Sequence, residues 1–127
     1  MKKYIYILID LLFVAGVVWL IVTPGNAGKP DKYDDFAKCL KDKGAIFYGA
    51  FWCPHCLAQK ALFGRSVQFL PYVECSTANG QGQLQVCKDA GVVSYPTWNF
   101  NASSTDILTG EVPLAKLAEK TNCELPQ

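Results

Sequence analysis

The chain has 127 residues, enough for one folded domain with its own core. Twelve Lys and Arg against eleven Asp and Glu leave it near neutral, and no basic block occurs beyond Lys2-Lys3, which argues against a nucleic-acid-binding surface. Six cysteines are many for a reduced cytosolic domain of this size and ordinary for an exported one.

The N-terminus reads as an export element. After Lys2 and Lys3 the sequence runs apolar from Tyr4 to Val22, near the ~20 residues that cross a bilayer as a helix. Tyr4 and Tyr6 at one end and Trp19 near the other fit an aromatic belt, and the two lysines would hold their end on the cytoplasmic side. Asp10 is out of place there, since a mid-membrane carboxylate costs about 2.5–3.5 kcal/mol on insertion scales. It is either tolerated near the helix end or set against a partner helix. The competing reading is a cleaved signal peptide, with Leu11 to Val22 as its apolar core and Gly25-Asn26-Ala27 as the cleavage site. The expected organisation is a single-pass transmembrane anchor over 1–23, a Pro- and Gly-containing linker over 24–32, and a domain over 33–127. Both readings place that domain on the extracytoplasmic side.

Within the domain, "DKYDDFAKCLKDKG" predicts a helix. Acidic residues lie early and lysines late, Tyr33, Phe36 and Leu40 share a face, and Gly44 stops it. "AIFYGAF", Ala45 to Phe51, is an apolar run of strand length suited to a central strand buried on both faces. Pro54 opens a second helix that runs to Gly64. "LPYVEC" predicts a short strand, "STANGQG" a polar loop and "QLQVCKDAG" a short helix ending at Gly91. "VVSYPTWNFN" and "TDILTG" form a strand pair around an Asn-Ala-Ser-Ser turn, and "VPLAKLAEKT" closes the chain as an amphipathic helix. Alternating helices and strands imply parallel pairing in the first part, and the final pair implies an antiparallel edge. The expected class is α/β with a small mixed sheet.

The chemistry concentrates in "YGAFWCPHCLAQK". Cys53 precedes Pro54 at a helix opening, where free N–H groups and the positive dipole end favour an anion, so its thiol should be more acidic than a free one. His55, the chain's single histidine, adds a cation beside the same sulfur. Cys56 lies one turn further on and points inwards. One exposed thiolate and one shielded resolving thiol are what exchange through a mixed disulfide requires. Zinc is the weaker reading, because no second C-x-x-C pair exists. An inert structural bridge is the third. Trp52 flanks the pair, either packing under it or giving an apolar rim to unfolded substrate. Downstream, Tyr95-Pro96-Thr97 opens a strand. A proline there is by itself an ordinary turn residue, yet X-Pro bonds can be locked cis by their surroundings.

Together, "YGAFWCPHCLAQKALFG", "LPYVECS" and "YPTW" resemble the thioredoxin-like domain fused to bacterial homologues of vitamin K epoxide reductase. The resemblance covers about Asp35 to Cys123 and implies a thioredoxin fold and a thiol–disulfide oxidoreductase of the bacterial cell envelope. It implies that Cys53 attacks, Cys56 resolves, and Pro96 is a cis-proline facing them, with Tyr95 and Thr97 framing the substrate groove. It also implies electron transfer from exported protein thiols to a membrane-embedded quinone reductase, expected on a separate chain. Pro54-His55 is the dipeptide of periplasmic disulfide-forming oxidants, which favours oxidation. Thioredoxins place a buried acid where this chain has Phe47, so proton transfer must rely on water or on a group such as Glu74 or Lys60.

Four cysteines remain. Cys75 and Cys87 bracket the polar loop and read as a staple contributing about 3 kcal/mol, with a second redox pair as the alternative. Cys39 and Cys123 pair only by elimination, since six cysteines allow fifteen connectivities. The sequence thus predicts an extracytoplasmic oxidoreductase without nucleotide, flavin, haem or metal. A reductase or isomerase of the same fold is the rival, and a non-catalytic thioredoxin-fold binding module is the rival of another class.

Overall fold

The structure is a computed structural model in which residues 2–22, 30–101 and 105–127 are described. It forms two compact units, Met1–Pro30 and Asp31–Gln127.

The first unit is helix α1, Lys2–Val22. Every described side chain from residue 3 to 19 is exposed, on all faces of the helix. The transmembrane expectation for 1–23 is not met here: among the described residues, no helix is long and apolar enough to cross a membrane. Lys3 and Asp10 interrupt the apolar surface, and the side chains from Leu20 onward lie outside the described residues. Most of the expected 24–32 linker, the Gly25-Asn26-Ala27 cleavage site and residues 102–104 of the expected hairpin turn also lie outside them.

The second unit is built on a four-stranded mixed sheet in the order β2-β1-β3-β4. Strand β1, Ala45–Gly49, is central; it pairs in parallel with β2, Tyr72–Glu74, and antiparallel with β3, Thr97–Phe100. Strand β4, Ile107–Thr109, forms the antiparallel edge against β3. Helix α2, Asp34–Asp42, buries Phe36 and Leu40, and Gly44 ends it at a φ of +77° that a side chain would strain. Helix α3, Pro54–Ala61, follows β1 directly. A 3-10 segment, Gly64–Phe69, comes next, then α4, Gln85–Asp89, between β2 and β3, and α5, Leu114–Thr121, at the end.

Alternation along β1 sends its side chains into two cores. Phe47 joins Phe36, Leu40, Phe63, Trp98 and Leu117 on one face. Tyr48 joins Cys75, Cys87 and Val92 on the other. Phe47 stacks on Trp98 with ring centroids 4.8 Å apart and meets Tyr72 edge-on at 5.3 Å, both strong aromatic geometries.

Several boundaries differ from the sequence expectation: α3 ends at Ala61 rather than Gly64, and β2 spans Tyr72–Glu74 rather than all of Leu70 to Cys75. Strand β1 ends at Gly49 rather than Phe51, because the chain turns at once to bring Cys53 N–H onto the Ala50 carbonyl at 3.0 Å. The stretch before Phe69 is a 3-10 segment pinned by Ser66, whose hydroxyl donates to the buried Asp34 carboxylate at 2.7 Å. Strand β3 begins at Thr97, not Val92, since Pro96 has no N–H to give the ladder and Val93 is left 93% exposed.

Candidate active site

The end of β1 and the start of α3 present the dithiol. Cys53 is the N-cap of α3 in an extended conformation, and Pro54 takes the first helical position with no N–H to leave unsatisfied. The Cys53 carbonyl accepts the first helical bond from Leu57 at 3.1 Å. Cys56 follows one turn in. Among the six cysteines, Cys53 and Cys56 are the unbridged two. The expectation of an exposed Cys53 needs correction: it is 5% exposed and Cys56 is fully buried, so the two differ in rank but both lie below the surface. Cys53 is covered because its Sγ packs towards Tyr95, donating to the Tyr95 carbonyl at 3.8 Å.

The residues predicted around the pair lie on two segments, Trp52 to His55 and Tyr95 to Thr97, which the Cys53–Tyr95 contact joins. The Tyr95-Pro96 peptide bond is cis. Pro96 is fully buried, and its carbonyl accepts from Gly110 N–H at 2.8 Å, tying the loop to β4. The Thr97 hydroxyl donates back to the Ser94 carbonyl at 2.8 Å and tightens the same bend. Trp52 is half-exposed; its ring meets Tyr95 edge-on at 6.2 Å and its indole N–H donates to the Ser76 hydroxyl at 2.8 Å. Its ring edge also lies against Gly80, the tip of the polar loop. His55 is exposed, and its Nδ1 sits 2.7 Å from a Glu111 carboxylate oxygen.

Burial pushes the Cys56 thiol up to about 12, and the neighbouring Cys53 adds to the rise. A backbone hydrogen bond from Ala50 and the charge of Lys60 pull the other way without reversing it. On β2, Glu74 accepts from the Tyr72 hydroxyl at 2.6 Å, Ser76 N–H at 2.8 Å and Phe51 N–H at 3.2 Å. Burial works to raise this carboxyl, but those three bonds and the Lys60 charge outweigh it and hold it below the usual range. Tyr72 moves upward, through burial first and then through the adjacent carboxylate.

The other four cysteines are bridged: Cys39 to Cys123, with Cα atoms 6.0 Å apart, and Cys75 to Cys87, 5.6 Å apart. Cys75 and Cys87 are fully buried, and the bridge closes the base of the loop that abuts Trp52. Among the described residues, no group of three His, Cys, Asp or Glu is placed to hold a metal ion.

Three contributors were not singled out from the sequence. Gln59, fully buried on α3, donates to the Val112 carbonyl at 3.0 Å and accepts from Val112 N–H at 2.6 Å. That clamp fixes the segment carrying Glu111 beside His55. Tyr72 is the third, under Cys56. The only sequence signal for Gln59 is a long polar side chain three residues after Cys56, on the face that α3 must bury.

A mixed sheet with helices on both faces, and a dithiol at a helix N-terminus opposite a cis-proline, fits a thioredoxin-like fold. No protein-family model matches the chain. The chain is similar to thiol-disulfide oxidoreductase LTO1 of Arabidopsis thaliana, with 46% identity over 95 residues, covering 72% of this chain and 24% of that protein. The chain therefore spans about a quarter of the length of that relative, whose name supports an oxidoreductase.

Proposed function

We propose that this chain is an extracytoplasmic thiol–disulfide oxidoreductase that oxidises the thiols of exported proteins through Cys53 and Cys56. The observation that carries this reading is the division among the cysteines. Four are closed as Cys39–Cys123 and Cys75–Cys87, while the two at the α3 N-terminus remain unbridged. A stapled framework around a free pair suits an oxidising compartment and leaves one dithiol for exchange.

In the oxidised enzyme a substrate thiolate attacks Cys53, forming a mixed disulfide and releasing Cys56. A second substrate thiol then displaces Cys53, leaving a new disulfide in the substrate and both enzyme thiols reduced. Tyr95, Pro96 and Thr97 frame the groove in which the substrate backbone lies, and Trp52 supplies its apolar rim. Cys53 leaves from the N-cap of α3, where the helix dipole favours negative charge. The electron acceptor is a membrane quinone reductase of the vitamin K epoxide reductase type. Helix α1 exposes apolar side chains on all faces, interrupted by Lys3 and Asp10, which favours a covering partner for the N-terminal segment.

The test is the redox potential of the Cys53–Cys56 pair, equilibrated against glutathione with the other cysteines followed separately by mass. A value above roughly −200 mV supports disulfide donation, and one near roughly −270 mV reverses the direction to reduction. Cys56→Ser should trap mixed disulfides with exported proteins. Absence of any such adduct would leave a non-catalytic binding module as the better description.

A further inference from the structure

The exchange proposed above demands something of Cys56 that its surroundings oppose. Whether it leaves from Cys53 or attacks it, negative charge develops on its sulfur, in a buried site with an apolar Phe47 beneath. The groups facing it are few. Its own segment presents Cys53 and Lys60. Strand β2 presents Tyr72, with Glu74 behind it. Strand β1 presents Gly49 and Phe47, while its Tyr48 belongs to the core on the opposite face. Lys60 is therefore the sole cation among these groups.

Its position is specified. Lys60 lies four residues after Cys56 on α3, on the same side of the helix. Its Nζ rests 3.4 Å from the centroid of the Tyr72 ring, a cation–π seat. That ring is held by the 2.6 Å bond from its hydroxyl to Glu74, itself fixed by the N–H groups of Phe51 and Ser76. Tyr72 and Cys56 also flank one point: a methyl group on Gly49 would meet the sulfur at 2.9 Å and the ring at 3.0 Å. The seat of the ammonium and the resolving sulfur are thus neighbours, with no side chain between them at Gly49.

We infer that Lys60, seated on Tyr72 with Glu74 aligning the ring, supplies the positive charge that Cys56 needs when it carries a negative one. Lys60 acts on the reacting sulfur electrostatically, and Tyr72 and Glu74 are positioning residues. Glu74 is unsuited to act as the base, because its oxygens are engaged by three donors that favour its ionised form.

With glutathione disulfide as oxidant, Cys53 first attacks it, joins one glutathionyl sulfur and releases one glutathione thiolate. Cys56 then gives its proton to solvent, and its electron pair forms the bond to Cys53 Sγ. The bond from Cys53 to glutathione breaks, and that pair leaves on the second glutathione sulfur, which takes a proton from solvent. The enzyme dithiol is oxidised by two electrons and glutathione disulfide is reduced by two. Lys60 assists the second step and leaves the first alone.

This inference rests on the proposed exchange activity, and one experiment separates the two. The reduced full chain, with its two other disulfides intact, is mixed with glutathione disulfide and quenched in acid at intervals, and the Cys53–glutathione adduct is followed by mass. In Lys60→Met the adduct should form at the wild-type rate and resolve roughly tenfold more slowly at neutral pH, the effect of one pKa unit. Its resolution rate should also begin to rise at higher pH. Lys60→Arg, which keeps the charge and stacks on aromatic rings, should restore most of the rate. Resolution in Lys60→Met at the wild-type rate and with the wild-type pH profile overturns the role of Lys60. A wild-type chain that forms no adduct removes the exchange reading and this inference with it. Near-UV circular dichroism matching the wild type checks that Lys60→Met is folded.

Discussion

The backbone of Gly49 passes so close beneath Cys56 that a methyl group on its Cα would lie 2.9 Å from Sγ. No ordinary contact is that short, so β1 and α3 meet at a spacing only glycine permits. Gly49→Ala must push the resolving cysteine or the Tyr72 ring aside. The expected outcome is a loss of about 1–3 kcal/mol by urea unfolding, as for other overpacked core sites. Resolution of the Cys53 mixed disulfide should slow as well, while formation is spared. A variant of wild-type stability would show that the helix can lift away freely.

Gln59 joins α3 to the segment before α5 through both polar groups of Val112. Gln59→Leu keeps the volume and orphans a buried N–H and a buried carbonyl, at about 1–3 kcal/mol for each unsatisfied group. Urea melts measure the loss. Hydrogen exchange at the Val112 amide should accelerate well beyond what the global change explains.

The two staples should differ in worth. Cys39–Cys123 closes 84 residues and Cys75–Cys87 closes 12. In the chain-entropy picture, Cys39→Ala/Cys123→Ala costs about 4–5 kcal/mol and Cys75→Ala/Cys87→Ala about 3. Thermal and urea unfolding of the two double variants give the order. Cys39→Ala/Cys123→Ala should retain exchange at Cys53 under conditions where it folds, whereas Cys75→Ala/Cys87→Ala should exchange more slowly, since its bridge anchors the loop that receives Trp52.

Alkaline pH should weaken the reduced protein. Burial first, then the adjacent Cys53, raises the Cys56 thiol from 9.0 to about 12, so between these values the folded state holds a proton that the unfolded chain has lost. Unfolding free energy then falls with rising pH by at most about 1.4 kcal/mol per unit. The contribution is complete below pH 9 and is lost by about pH 12. Tyr72, also raised, acts in the same sense from pH 10 upward. Glu74 acts oppositely: its carboxyl is lowered, so its share is present above the unfolded value of 4.5 and disappears as acid protonates it. Urea unfolding of reduced wild type and Cys56→Ser from neutral to alkaline pH checks the sign. The stability gap between them should close above pH 9, and a gap that stays constant would deny Cys56 its buried thiol.

Much of this arrangement is legible from local pattern. The apolar run at Ala45, the proline opening α3 and the Tyr95-Pro96 pair each announce themselves within a few residues, because strand burial, helix initiation and loop geometry are short-range matters. What escapes is set by partners far along the chain. Beyond the end of β1 at Gly49, Phe51 N–H is claimed by Glu74, 23 positions away. Ser66 fixes its 3-10 segment through Asp34, 32 positions away, and Gln59 finds Val112 across 53. Cys53 is buried by Tyr95, 42 positions on, which no pattern around the motif discloses.

The Cys75–Cys87 bridge carries a consequence for how the molecule comes into being. It anchors the loop whose Ser76 and Gly80 receive the Trp52 ring, so the rim of the dithiol is shaped only after another pair of sulfurs has joined. On the proposed function, a catalyst of disulfide formation is born as a client of the same reaction. Each new molecule emerges with six thiols and must lose two electrons from Cys75 and Cys87, to mature copies or to the acceptor, before the rim of its own site is assembled. Supply of active protein then depends on the population already present, and a cell emptied of it would recover with a lag rather than at once.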